Sequence, residues 1–142
     1  MKKGFTLIEL LVVIAIIALL STLAVVALSS ARQKSRDAKR LSDLKQVQTA
    51  LELYFTDQSS YPSGTGLVLG GTGAKCLGAG GFAESGCTAP VYMGQVPSNP
   101  SPGGVDYSYT GSATTYSIAF SLEGASGGLP LGAHTVSPSG IQ

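Results

Sequence analysis

Residues 1–30, MKKGFTLIELLVVIAIIALLSTLAVVALSS, decide what the rest of the chain has to do. Two lysines and a glycine precede an apolar run in which Glu9 is the single ionisable side chain between Phe5 and Ala31, with neither Pro nor Gly to interrupt it. As a helix rising about 1.5 Å per residue, this run spans roughly 40 Å, enough to cross a hydrocarbon core of about 30 Å. A carboxylate in such a segment costs on the order of 2.5–3.5 kcal/mol at the bilayer centre and less near the interface, which marks Glu9 as a functional residue. A secretory signal peptide has a shorter apolar stretch followed by a small-residue cleavage site. A plain single-pass anchor accounts for the length but not for the carboxylate.

The next stretch, ARQKSRDAKRLSDLKQVQTALELYFTDQ, continues the helix. Ala38, Leu41, Leu44, Val47, Leu51 and Tyr54, with Phe55 beside them, recur at three-to-four spacing and make one apolar face. A helix from Phe5 to about Thr56 is roughly 75–80 Å long. Its second half is expected to pack on a small domain. Its first half is apolar all round, so a bilayer or further copies of the same helix must cover it.

In order and position, the residues KKGFTLIELLVVIAIIALLSTLA closely resemble the N-terminus of type IV prepilins and of the pseudopilins of type II secretion. The resemblance implies a leader of residues 1–4, cut between Gly4 and Phe5 by a membrane peptidase on the cytoplasmic side, and N-methylation of the new terminal Phe5. It further implies that Glu9 meets the terminal amine of a neighbouring subunit and sets the stagger of helices in a filament. A buried carboxylate paired with an ammonium is tolerable where an unpaired one is not, so such a pair selects register more than it adds stability. In place of the proline that many pilins carry in the second half of the apolar helix, this chain has Val26, and no proline precedes Pro62. A continuous helix is therefore expected, with Ser21 and Thr22 as the place where any melting would start.

Composition agrees with a short anchored protein. At 142 residues the chain has room for one small domain besides the helix. The formal charge of +1 gives no reason to invoke nucleic acid. Arg32, Lys34, Arg36, Lys39, Arg40 and Lys45 form a basic cluster, interrupted by Asp37 and Asp43 and without interleaved aromatics. It reads as a solvated helix face near lipid headgroups, with Lys39–Asp43 and Asp37–Arg40 as local pairs. Lysine and arginine counts alone would put this basic side in the cytoplasm. The resemblance requires Lys2 and Lys3 there instead, and an exported C-terminal part.

Cys76 and Cys87, in AKCLGAGGFAESGCTAP, are the only cysteines. A disulfide closing so short a loop contributes about 2–3 kcal/mol and suits an exported domain. A metal site would need more ligands than His134 adds, and two free thiols would suit a cytosolic domain. The Gly-rich SGTGLVLGGTGAKCLGAGG has neither GxGxxG leading into a helix nor GK[ST], and reads as an irregular loop rather than a phosphate cradle. Pro62 ends the helix near Tyr61.

Farther on, Val105, Tyr107 and Tyr109 alternate with polar residues, as do Tyr116, Ile118, Phe120 and Leu122. This predicts a hairpin turning at Gly111–Thr114, with a third strand at about Val91–Val96 completing a meander on the helix. The order of a VPxxP segment, a YxY strand and a Tyr-rich strand ending in a Gly loop is similar to the major pseudopilins. Those often bind calcium near this last loop through aspartates. Here the loop SLEGASGG offers only Glu123, so no cofactor is expected. The tail GASGGLPLGAHTVSPSGIQ reads as surface-laid or flexible, and His134 as exposed. Asp106 and Glu123 form no recognisable catalytic pair, and no nucleophile, metal or cofactor signature stands out, so an enzyme is not expected.

The fold class expected is α+β: a long N-terminal helix on a small antiparallel β-sheet. Its parts are a leader (1–4), a membrane and polymerisation half-helix (5–31), an amphipathic half-helix (32–57) and a β-rich domain (58–142). The resemblance implies a structural subunit of a type IV pilus-like filament, or a pseudopilin of a type II secretion system. Its partners would be its own copies, other pilins, the prepilin peptidase, and an assembly platform with its ATPase. A monomeric membrane-tethered binding module is the reading from a different class.

Overall fold

The computed structural model describes Met1 and residues 4–142; the expectations for Lys2 and Lys3 lie outside the described residues. Helix α1 runs unbroken over Leu7–Gln58. The chain divides into two compact units, Met1–Gln33 and Lys34–Gln142. In the first unit every large apolar residue of α1 is exposed, from 45% at Val13 to 81% at Leu7. Ser21 and Thr22 do not break the helix there. Their hydroxyls donate to the carbonyls of Ile17 (2.7 Å) and Leu19 (2.8 Å), which keeps both satisfied inside an apolar segment.

The second unit holds the remainder of α1 and eight short strands. Leu44, Val47, Ala50, Leu51 and Tyr54 of the helix are buried. Ala50 joins the predicted face, while Ala38 and Phe55 are exposed. The helix ends at Ser59, whose φ of 54° is the left-handed conformation of a helix terminus, and its N–H donates to the Phe55 carbonyl at 2.8 Å. Pro62 then prevents resumption.

Five antiparallel strands form the main sheet, in the order β1 (Gly64–Val68), β5 (Ser108–Gly111), β6 (Tyr116–Leu122), β7 (Gly132–Ser137), β8 (Gly140–Ile141). A smaller sheet has the order β3 (Gly81–Ala83), β2 (Cys76–Gly78), β4 (Val91–Met93). Along β6, Tyr116, Ile118, Phe120 and Leu122 are buried and alternate with exposed or half-buried neighbours. They join the helix residues in one core with Tyr107, Tyr109 and Val136. Each such side chain contributes about 1.5–3 kcal/mol through burial. The predicted hairpin is present, with Gly111 facing Tyr116.

Four expectations need correction. The strand near Val91 is not in the meander: β4 pairs with β2 in the smaller sheet, Leu77 facing Met93. The third place belongs to β7, from the tail read as loose. There His134 and Val136 are buried and Ala133 and Thr135 exposed, a period-two pattern that the surrounding Gly, Pro and Ser conceal. The Gly-rich stretch also contains strand β1, Leu67 facing Tyr109. Finally, Val105 lies outside β5 and is 56% exposed, so the inward alternation begins at Tyr107.

Candidate functional site

At the start of α1 stands a reciprocal cap. Thr6 is the N-cap: its Oγ1 accepts from the Glu9 N–H at 3.3 Å, while Glu9 Oε2 accepts from the Thr6 N–H at 2.8 Å and from the Thr6 hydroxyl at 2.7 Å. This capping box satisfies orphan donors of the first turn, and a carboxylate there complements the positive end of the helix dipole. Glu9 is therefore held in one rotamer near the end of the apolar segment, by a residue that the sequence reading passed over. Gly4 and Phe5 lie just ahead of the helix and are exposed. A Cβ placed on Gly4 would meet nothing within 4 Å. By length and composition α1 can cross a membrane, and its apolar segment is exposed.

Within the second unit Lys34, Lys39 and Lys45 are exposed, as a solvated basic face requires, but Arg36 and Arg40 are not. Arg40 is fully buried and Asp37 is 1% exposed. Arg40 Nη1 donates to Asp37 Oδ1 at 2.6 Å and lies 2.7 Å from Glu123 Oε1. Arg36 makes a two-pronged pair with the same glutamate, Nε to Oε1 at 2.8 Å and Nη2 to Oε2 at 2.6 Å. Hydrogen bonds from Arg36 first, and from Arg40, pull the Glu123 carboxyl down to about 2. Asp37 also accepts from the main-chain N–H groups of Glu123 (3.0 Å) and Gly124 (2.9 Å). The sequence did contain Asp37–Arg40 as an i,i+3 pair; its burial depends on loops remote in sequence. Glu123, the only carboxylate of the loop weighed for calcium, faces two guanidinium groups, a setting that does not fit a divalent cation.

One turn along, Asp43 is 7% exposed and Tyr107 fully buried. Asp43 Oδ2 and the Tyr107 hydroxyl make no well-formed hydrogen bond to any described residue. Burial raises the Asp43 carboxyl above its ordinary value, against the opposing pull of Lys39, and raises the Tyr107 hydroxyl likewise. Lys39 thus acts on Asp43 through its charge, as the spacing suggested.

Cys76 and Cys87 are joined by a disulfide, with Cα atoms 6.2 Å apart. His134, read as exposed, is 9% exposed on β7. Its Nε2 lies 2.8 Å from the Pro130 carbonyl and its Nδ1 3.2 Å from that of Gln142, and a neutral ring donates to one of these two carbonyls. A shallow cavity of about 460 Å³ beside it includes Asp106, Val105 and Phe120. No hydrogen bond or ion pair joins Asp106 to His134 among the described residues, and Glu123 is engaged elsewhere.

Comparison with known proteins bears on the N-terminal segment. Residues 1–25 match the family model described as the prokaryotic N-terminal methylation motif. The chain is also 39% identical over 62 residues to the type II secretion system core protein G of Pectobacterium carotovorum subsp. carotovorum, a match covering 44% of this chain and 40% of that protein. It thus spans less than half the length of the relative. No solved structure gives a significant match. An exposed apolar helix headed by Gly4, Phe5 and a capped Glu9 thus stands in a segment similar to the prokaryotic N-terminal methylation motif, in a chain partly similar to a type II secretion system core protein G.

Proposed function

We propose that the chain is a structural subunit of a type IV pilus-like filament, assembled through α1 after cleavage between Gly4 and Phe5 and methylation of Phe5. One observation carries the reading: an apolar half-helix with no tertiary cover, bearing one oriented carboxylate near its end. In the membrane, lipid covers this surface. In the filament, helices of neighbouring copies replace the lipid. Glu9 accepts the Phe5 amine of a neighbour and so selects the stagger. The processed subunit waits in the cytoplasmic membrane with its N-terminus inside and its C-terminal domain exported, which the disulfide supports. The prepilin peptidase, an assembly platform and its ATPase are the partners this reading requires. The subunit's role is structural rather than catalytic.

A second reading, a pseudopilin building a short filament in a type II secretion system, draws support from the relative named for that system. Mass spectrometry of the N-terminal peptide, from membranes and from sheared surface material, separates the possibilities. A chain beginning at methylated Phe5 and abundant in the sheared fraction supports a surface pilus. The same processed chain retained in the envelope supports the pseudopilin. An uncut chain in cells with a working peptidase leaves the tether. Glu9→Gln refines the test, because it keeps an acceptor for Thr6 while removing the charge. Loss of filaments in this variant, with the chain still in the membrane, is the result expected.

A further inference from the structure

We propose that the Arg40 guanidinium is the resident cation of an oxygen cage that fastens two loops to helix α1, so that these loops are set without calcium or another metal ion. Five oxygens surround it. Nε donates to Asn99 Oδ1 at 2.8 Å, Nη2 to the carbonyls of Pro100 (3.1 Å) and Gly103 (2.8 Å), and Nη1 faces Asp37 Oδ1 and Glu123 Oε1. Two carboxylates, one amide oxygen and two peptide carbonyls are the kind of ligands that a hard cation collects. Here a planar fork of N–H donors collects them instead.

The surrounding chain is shaped to that fork. A Cβ on Gly104, whose φ is +74°, would lie 2.8 Å from Arg40 Nη2, and one on Gly103 would lie 2.7 Å from the Glu123 carboxyl carbon. Asn99 Nδ2 closes its loop onto the Gly103 carbonyl at 2.9 Å. On the other side, Asp37 fixes the Glu123 and Gly124 N–H groups. Charge balances as well: Arg36 and Arg40 offset Asp37 and Glu123. A dication added to this balanced, largely buried group would carry uncompensated charge. A guanidinium carried on the chain itself therefore does, through hydrogen bonds and ion pairs, what a bound metal ion would do, and the loops do not respond to external calcium.

The full-length chain in detergent micelles tests this, with thermal unfolding followed by near-UV circular dichroism. Calcium is used at about 5 mM, above the 10⁻⁴–10⁻³ M range of weak extracellular sites, against EGTA. Wild type is expected to unfold at the same temperature in both. Arg40→Ala is expected to unfold roughly 10 °C or more lower in EGTA and to regain several degrees with calcium, because its open oxygens then carry a net negative charge. Arg40→Lys keeps the charge with fewer donors and is expected to lie between; it carries the comparison if the alanine variant does not fold. Calcium stabilising wild type by several degrees would overturn the proposal. So would a folded Arg40→Ala indifferent to calcium, or an Arg40→Lys as stable as wild type.

Discussion

Replacing Asp37 by alanine removes the buried acceptor on which three donors converge: Arg40 Nη1 at 2.6 Å, and the N–H groups of Glu123 at 3.0 Å and Gly124 at 2.9 Å. Breaking a buried ion pair by deleting one partner costs about 3–5 kcal/mol. Arg40 keeps Glu123 as counter-ion, which limits the charge left uncompensated. Two peptide N–H groups nevertheless lose their acceptor, each a loss of about 1–3 kcal/mol where water cannot replace it. The expected destabilisation is about 3 kcal/mol, a large share of the 5–15 kcal/mol available to a small domain. For a unit of about a hundred residues this corresponds to a fall of roughly 10–15 °C. Urea and thermal unfolding of the detergent-solubilised chain, read by tyrosine circular dichroism, measure it. A double-mutant cycle with Arg40→Met should show a coupling of at least about 1 kcal/mol. A loss below about 1 kcal/mol for Asp37→Ala, with no coupling, would refute the reasoning and mean that water reaches this carboxylate freely.

Asp43→Asn is expected to raise the unfolding temperature at pH 7 and to have little effect at pH 3. Burial raises the native carboxyl, so its favourable contribution is present below the unfolded value of about 3.8 and is lost as pH rises through the native one. Glu123 has the opposite sign: its contribution is present above about 4.5 and is lost as pH falls toward 2, so Glu123→Gln should flatten the acid limb of a stability–pH curve. Ser59→Gly should stabilise by roughly 0.5–1 kcal/mol in urea unfolding, because a φ of 54° strains a side chain but not glycine. Replacing Cys76 and Cys87 together by serine should cost about 2–3 kcal/mol, measured against the oxidised wild type, with strand β2 losing amide-exchange protection first.

Local patterns were the legible part of this chain. The apolar run, the three-to-four spacing of Leu44, Val47, Leu51 and Tyr54, and the alternation along Tyr116–Leu122 are short-range periodicities, which a sequence displays directly. The Thr6–Glu9 box was legible too, as T-L-I-E opening an apolar helix, although the carboxylate drew attention only as a costly charge. Partners distant in sequence were not legible. β4 pairs with β2 and β7 takes the third place in the meander, pairings that depend on packing against cross-strand neighbours more than on local propensity.

The sequence by itself thus determined a long N-terminal helix whose first half is apolar all round, the residues at which processing is expected, and a small β-rich domain. Only the tertiary structure decided which charges are solvent-facing and which are structural. Arg40 and Lys39 are adjacent residues of one basic cluster, yet one is buried in a cage of oxygens and the other is exposed. The difference comes from Asn99, Pro100, Gly103 and Glu123, about sixty or more residues away, whose oxygens converge on one side of the helix. Helical spacing specifies a face, but the burial of a charge is set by what the rest of the chain brings to that face.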